Sequence, residues 1–349
     1  MKLAILDDYG RPARRVADWS GIARDVEITD FDRPIRFDEV ADMLAPFDIL
    51  CTMRERMAIR GELIARLPRL KLITIVFPRQ DNLDVVAATA HGILVAVAPP
   101  APLGTPDNTR ATVELTWALI LNAVRHLEQE MRAMRAGGWA SSYGIQLHGR
   151  TLGLLGFGRL GRQMAAIGQA FGMKILVWSQ NLDAAAAIAA GVIPVAKDEL
   201  FARSDVLSIH TRLSDRTRGL VGAGNLARMK PDALLVNTSR GPIVDEDALI
   251  ECLRAGRIAG AALDVYDQEP LPSDHPLRGL SNVTLTPHIG YVSEQALAMF
   301  YAGTIAVAEA FLRHAPISML NPEVLTMPRL AELGPWREGQ WPTAWPIGV

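Results

Sequence analysis

Residues 156–161 read Gly-Phe-Gly-Arg-Leu-Gly, and the residues on either side of them leave few folds open. The apolar run Thr151–Leu155 precedes them and has the length of a strand. Leu160, Met164, Ile167 and Phe171 follow on one face of a helix, and Gly172 ends the pattern. A GxGxxG spacing says little by itself, because glycine is common. Between a strand and a helix each glycine has a physical task. Gly156 permits a tight turn, Gly158 lets backbone approach a pyrophosphate, and Gly161 lets the helix sit close to the strand. The N-terminus of such a helix offers free N–H groups and positive potential to a phosphate. Phe157, Arg159 and Leu160 complete this candidate dinucleotide loop.

The rest of the chain alternates in the same way. Leu3–Leu6, Ile49–Thr52, Leu72–Val76 and Ile93–Val97 read as strands, with amphipathic stretches such as Asp38–Leu44 and Gly61–Leu67 between them. Alternating strands and helices predict a parallel sheet covered on both faces. Pro99, Pro100, Pro102 and Pro106 then interrupt the pattern over Ala98–Asn108, a boundary or hinge. A long helix is expected from Thr109 to Arg135, stopped by Gly137-Gly138. Strands are expected at Thr151–Leu155, Lys174–Trp178, Val206–His210, Leu234–Asn237, Ala261–Asp264 and Val283–Thr286, enough for a complete dinucleotide-binding sheet. A helix over Ser293–Arg313 follows. The tail from Asn321, with Trp336, Trp341 and Trp345 among prolines, is expected to be extended and clamped by its indoles.

Composition removes several classes. The 349 residues suit about two domains. At 49% hydrophobic and 21% charged the chain is globular, not disordered or collagen-like. A formal net charge of -2 gives no pull toward nucleic acid or an anionic membrane. Cys51 and Cys252 match neither CxxC nor a zinc pattern, so two buried thiols and no metal are expected. The most apolar helical stretch read from the sequence, Val113–Val124, carries Glu114 and Asn122 and is too short for a span. MKLAILDDYG is no signal peptide, which leaves a soluble cytoplasmic protein as the default.

Two further stretches bear on the cofactor and the chemistry. At the end of the second strand after the glycine loop, an NAD site usually carries a carboxylate for the ribose hydroxyls. Here Ser179, Gln180 and Asn181 stand instead, which leaves NAD and NADP both open with a lean to NADP. Downstream, Asn237-Thr238-Ser239-Arg240-Gly241, Asp264-Val265-Tyr266-Asp267-Gln268-Glu269-Pro270 and Thr286-Pro287-His288-Ile289-Gly290 each follow a predicted strand. An Arg offers a planar fork for a carboxylate. A His exchanges a proton with a neighbouring oxygen, and a Glu beside it favours its charged form and orients the ring. Beside a nicotinamide, such a trio fits hydride transfer at C2 of a 2-oxo or 2-hydroxy acid.

In these segments the chain resembles the D-isomer-specific 2-hydroxyacid dehydrogenase family. The likeness runs from about residue 40 to residue 322 and rests on GFGRLG, NTSRGPIVDEDAL, GAALDVYDQEP and TPHIG in that order. The resemblance implies an α/β fold of two doubly wound domains. A Rossmann NAD(P)-binding domain, 107–292, is inserted into a discontinuous flavodoxin-like substrate domain, 1–106 plus 293–322, with a C-terminal tail at 323–349. It implies that Arg240 binds and polarises the 2-oxo acid and that Glu269 pairs with the catalytic His288. It implies that Asp264 holds the nicotinamide carboxamide and that His210 and Thr211 line the cofactor cleft. Asn237, Thr238, Ser239 and Gly290 join the cofactor contacts. It also implies a homodimer built through the nucleotide domain.

Two departures stand out. Relatives carry a glycine-containing turn after the strand matching Leu72–Val76, whose N–H groups bind the substrate carboxylate. Here the turn reads Phe77-Pro78-Arg79-Gln80-Asp81-Asn82, and Pro78 has no N–H. Arg79 and Gln80 thus become candidate substrate contacts. Arg54 occupies a place where relatives hold an anionic substrate end, and with Arg79 it suggests a second anionic group on the substrate. The other departure is the lengthened Pro-rich segment 99–108. Against the reductase stand a dinucleotide-sensing regulator on the same fold and a phosphite or formate dehydrogenase. Glu269 disfavours the formate type, which carries Gln there.

Overall fold

The structure, a computed structural model, describes residues 1–54, 56–77, 82–98 and 109–337. Arg79, Gln80, the hinge prolines at 99–106, Trp341 and Trp345 lie outside the described residues. Contacts divide the chain into two compact units, Met1–Pro106 with Ser293–Val349, and Asp107–Val292.

The first unit is built on five parallel strands in the order β2-β1-β3-β4-β5. They are β1 (Lys2–Ile5), β2 (Glu27–Asp30), β3 (Ile49–Cys51), β4 (Leu72–Ile75) and β5 (Leu94–Val97). β3, β4 and β5 are buried throughout, so each reads as an unbroken apolar run. β2 is an edge strand with the sequence Glu-Ile-Thr-Asp. Paired on one side and flanked by carboxylates, it has no apolar signature, and the sequence pattern does not predict it.

The helix Glu294–Leu312 packs in this unit against β4 and the turn of helix Ala13–Val16. It has 19 residues, and an 18-residue window of it has a mean hydropathy of 1.4, long and apolar enough to cross a membrane by those two measures. This helix, and not the 12-residue stretch Val113–Val124, meets both measures. Its Phe300, Tyr301, Val307 and Phe311 are buried in the unit's interior. The Tyr301 hydroxyl donates to the buried Asp8 carboxylate over 2.8 Å.

The segment after Asn321 is not extended. A 3₁₀ turn covers Pro322–Thr326 and a short helix Pro328–Ala331, each opened by a proline whose missing N–H costs nothing there. Asn321 anchors the segment to β5, accepting from Val95 N–H at 2.8 Å and donating to Thr89 and Ile93. The Trp336 ring stacks on Phe311 and His314 and donates its N–H to Leu330.

The second unit carries a parallel sheet of seven strands, one more than the sequence pattern predicts, in the order β12-β11-β10-β9-β6-β7-β8. They are β6 (Thr151–Leu155), β7 (Lys174–Trp178), β8 (Ile193–Pro194), β9 (Val206–Ile209), β10 (Leu234–Asn237), β11 (Gly260–Leu263) and β12 (Val283–Leu285). The extra strand, β8, is two residues at the sheet edge. The other strands lie within a residue of their expected bounds. Their strand order reverses at β6, between β7 and β9, where an open α/β sheet forms its ligand crevice.

The long helix expected over 109–135 is two helices, Thr109–Arg125 and Leu127–Arg135, broken at His126 with φ 52°. Side-chain and loop partners replace the helical ladder there. The Asn122 amide oxygen accepts the N–H of Glu128, and the Val124 carbonyl accepts the N–H of Ile145. Helix propensity alone carries no trace of these two bonds. Cys51 and Cys252 are both buried and unbridged.

Candidate active site

All strands of the second unit's sheet run parallel, so every loop after a strand emerges at one edge. The glycine loop emerges there after β6. Gly156 has φ 108°, and a Cβ on it would press within 2.6 Å of the His210 carbonyl oxygen. A Cβ on Gly161 would meet the Gly156 carbonyl at 2.3 Å. Neither position accepts another residue. Gly158 differs: a Cβ there would meet nothing within 4 Å. It is the N-cap of helix Arg159–Ala170, and no side chain caps that helix. Open space over an uncapped helix N-terminus fits a pyrophosphate. Arg159 and Leu160 open the helix, and the Phe157 ring is covered by the Arg162 guanidinium at 4.7 Å.

After β7, Ser179 is half-buried while Gln180 and Asn181 are exposed. The first carboxylate beyond them is Asp183, which accepts the Ala186 N–H at 3.0 Å as the cap of the next helix. His210 follows β9 with its Nε2 at 2.8 Å from the Ser208 hydroxyl, and burial pushes its imidazole down to about 4. The Thr211 carbonyl accepts the Ser239 hydroxyl, which ties the loop after β9 to the loop after β10.

The loop after β10 is locked by its own polar groups. The Asn237 side chain accepts the Ser239 N–H at 3.0 Å and donates to the Arg240 carbonyl at 2.9 Å. The Thr238 hydroxyl pairs with that of Thr116 at 2.8 Å. Arg240 is thereby presented beyond the strand end, half-buried, with one guanidinium nitrogen on the Ser239 carbonyl.

The loops after β11 and β12 form one structure. Asp264 is fully buried. Its carboxylate accepts the Thr286 hydroxyl at 2.6 Å, the Ile289 N–H at 2.8 Å and the Gly290 N–H at 2.8 Å. Burial raises its pKa, while those donors and the neighbouring His288 oppose the shift. The resemblance implies a carboxamide contact for Asp264, but three of its acceptor positions hold the loop that carries His288. Tyr266 adds a second tie, its hydroxyl lying 3.1 Å from the Leu263 carbonyl and 2.8 Å from the Thr286 carbonyl. Glu269 accepts the Tyr266 N–H at 3.0 Å through one oxygen. Its other oxygen lies 2.6 Å from His288 Nδ1. A carboxylate only accepts, so Nδ1 carries the proton and Nε2 is left for a substrate oxygen. Sequence reasoning joined Arg240, Glu269 and His288. It missed Tyr266 and Thr286, whose only signal is their place inside the two quoted segments.

Arg54 belongs to the first unit, just past β3, with φ 54° and its guanidinium 4.6 Å over the Phe77 ring. Arg79 and Gln80, the other candidate substrate contacts, lie outside the described residues.

A family model for the NAD binding domain of D-isomer specific 2-hydroxyacid dehydrogenases matches residues 117–290. The chain is 37% identical over 314 residues to the glyoxylate reductase of Aeropyrum pernix, covering 86% of this chain and 91% of that protein. A crystal structure of a D-3-phosphoglycerate dehydrogenase so assigned from Ralstonia solanacearum superposes with a TM-score of 0.85 at 35% identity, over 95% of this chain and 99% of that one. The phosphoglycerate oxidoreductase of Vibrio cholerae gives a TM-score of 0.83 at 37% identity, over 90% and 100%. With a glycine loop shaped for a dinucleotide and an Arg, Glu and His at the same sheet edge, the chain is an NAD(P)-dependent 2-hydroxyacid oxidoreductase and belongs to the D-isomer-specific 2-hydroxyacid dehydrogenases.

Proposed function

We propose that the protein acts as a 2-oxo acid reductase that prefers NADPH and takes a substrate with a second anionic group. The observation that carries this reading is the His288–Glu269 pair at 2.6 Å, at the sheet edge that also ends in Arg240. Glu269 holds the Nδ1 proton of His288 and counters the charge of the imidazolium. His288 then gives the proton on Nε2 to the carbonyl oxygen of the substrate. Arg240 binds the substrate carboxylate with its fork and offsets the negative charge that develops on the oxygen. The nicotinamide, when bound, supplies the hydride that C2 receives.

The NADPH preference is supported by the absence of a carboxylate from Ser179, Gln180 and Asn181 and by the engagement of Asp183 as a helix cap. The second anionic group is supported by Arg54, whose guanidinium lies 4.6 Å over the centroid of the Phe77 ring. A homodimer through the second unit is part of the same reading. It is supported by large apolar side chains left exposed on one stretch of that unit, Met131, Met134, Trp139 and Tyr143 among them. The reading also places the protein in the cytoplasm, with its two unbridged cysteines as support.

The test is loss of reduced-nicotinamide absorbance, with NADPH and NADH supplied separately against glyoxylate, hydroxypyruvate, phenylpyruvate and dicarboxylic 2-oxo acids. Turnover that favours NADPH and a dicarboxylate is expected. Turnover on monocarboxylates alone removes the role of Arg54. Cofactor binding with silence across the panel overturns the reductase.

A further inference from the structure

The imidazole of His288 turns about its Cβ–Cγ bond, and the bond from Nδ1 to Glu269 restrains that turn at one edge of the ring and follows the Glu269 side chain as it moves. Libration of the ring displaces Nε2, on the opposite side, from a substrate oxygen. The second constraint is Tyr291. Its ring stands at 80° to the imidazole with the centroids 5.7 Å apart, an edge-to-face contact. It is itself 6% exposed and so has no room to move aside. The backbone puts it there. Asp264 holds the N–H groups of Ile289 and Gly290, and the Val292 N–H closes a turn onto the Ile289 carbonyl at 2.8 Å. That turn folds residue 291 back over residue 288.

We propose that Tyr291 is a positioning residue for the proton transfer, setting the plane of the His288 imidazole through its ring and not through its hydroxyl. The proposal rests on the reading of His288 as the proton donor. Among the described residues, Glu269 after β11 bonds that imidazole, Asp264 just past β11 is a charged neighbour, and Tyr291 on its own loop packs a ring against it.

The experiment compares Tyr291→Phe and Tyr291→Leu with the wild-type protein. Leu keeps an apolar side chain but no ring. It is expected to lower kcat about tenfold, since a misplacement of about 1 Å costs about 10²-fold and the bond to Glu269 limits the shift to less than that. KM for the 2-oxo acid and the affinity for NADPH should stay within about twofold. The solvent deuterium isotope effect on kcat should rise, because the proton transfer becomes the slower event. Phe should retain kcat and the isotope effect of the wild type. A fall in kcat together with a higher substrate KM and a weaker cofactor affinity, with Phe no better than Leu, would instead mark a residue that only holds the loop. A Leu variant with wild-type kcat and isotope effect overturns the proposal outright.

A second readout does not depend on turnover. The Cε1–H resonance of His288, assigned by its loss in His288→Gln, should carry an aromatic ring-current shift in the wild type and the Phe variant and lose it in the Leu variant. If the wild type turns over no 2-oxo acid while this shift behaves as expected, the reductase reading fails and the packing stands. If the shift is the same in all three proteins, the ring contact itself is refuted.

Discussion

Gly290 donates its N–H to the buried carboxylate of Asp264 over 2.8 Å, so a side chain of one strand end holds the loop after the next, the loop that carries His288. The Ile289 N–H and the Thr286 hydroxyl bind the same carboxylate. Between these anchors His288 sits at φ 53°, a left-handed conformation that costs a non-glycine residue roughly 1–2 kcal/mol. Charge-assisted hydrogen bonds to a buried carboxylate are of the size needed to hold it there. The loop is therefore set by Asp264 and not by its own sequence preference.

Asp264→Asn tests that dependence. Asparagine has one acceptor oxygen in place of two, and its NH₂ would face a backbone N–H. Leaving one buried N–H unpaired costs about 1–3 kcal/mol. The expected result is a lower melting temperature together with a lower kcat, read by thermal unfolding and by NADPH consumption. Wild-type values of both would mean that the loop holds His288 without the carboxylate.

The trio predicts a graded series. His288→Ala removes the proton donor and should lower kcat by about 10²–10⁴, the usual contribution of a positioned general acid. Glu269→Gln keeps a partner for Nδ1 but removes its charge, and should fall between that variant and the wild type. Steady-state rates across the series decide it. Near-full activity of His288→Ala would place the proton donor elsewhere.

The two parallel sheets and the edge that holds Arg240, Glu269 and His288 are legible in the sequence, because the central strands are buried on both faces and the three residues lie on loops that follow β10, β11 and β12. What the sequence pattern misses depends on partners distant in the chain. β2 has no apolar run because only one of its edges is paired. The helix break at His126 depends on Asn122 and on Ile145, which lies well outside any local window. The prolines of the tail predict an extended chain, yet Pro322 and Pro328 each start a helical turn. The family likeness implies a cofactor contact for Asp264, and its bonds to the following loop, which the structure adds, have no sequence signature.

Stability should respond to pH through His210. Burial pushes its imidazole from about 6.5 in the unfolded chain down to about 4. As pH falls, the unfolded chain takes up the proton first. The stability is thus fully present above about pH 6.5, is lost as pH falls toward 4, and changes no further below that. The loss amounts to about 3 kcal/mol at most. Urea unfolding at about pH 7.5 and about pH 4.5 should show a smaller difference for His210→Gln than for the wild type. Equal pH dependence of the two proteins would assign the effect to other groups.

The exposed aromatics of the second unit predict self-association. Trp139 and Tyr143 are 83% and 92% exposed on the stretch after helix Leu127–Arg135. That stretch is itself ordered, since Glu130 accepts from both Ser141 and Ser142, which holds its carboxyl down at about 2. Apolar rings on a fixed support are the composition of an interface core. Trp139→Glu with Tyr143→Ser should convert a dimer to a monomer in sedimentation velocity while the melting curve of the monomer stays cooperative. A wild-type protein that sediments as a monomer at tens of micromolar would remove the dimer from the reading.

The proposed preference for NADPH predicts that cofactor choice responds to the strand end after β7. Ser179 follows β7 directly and is half-buried, and neither it nor Gln180 or Asn181 carries a charge. Ser179→Asp places a carboxylate where a ribose 2′-phosphate would lie and offers an acceptor to a free 2′-hydroxyl. Two charges about 4 Å apart repel by roughly 4 kcal/mol near a protein surface, and solvent screening at an open site reduces this. Even a third of it is about tenfold in affinity. The ratio of kcat/KM for NADPH to that for NADH should therefore fall at least about tenfold in Ser179→Asp, mainly through the KM for NADPH. An unchanged ratio would mean that the discriminating contact is made by another residue, with Arg159 at the opening of the adjacent helix the next to substitute.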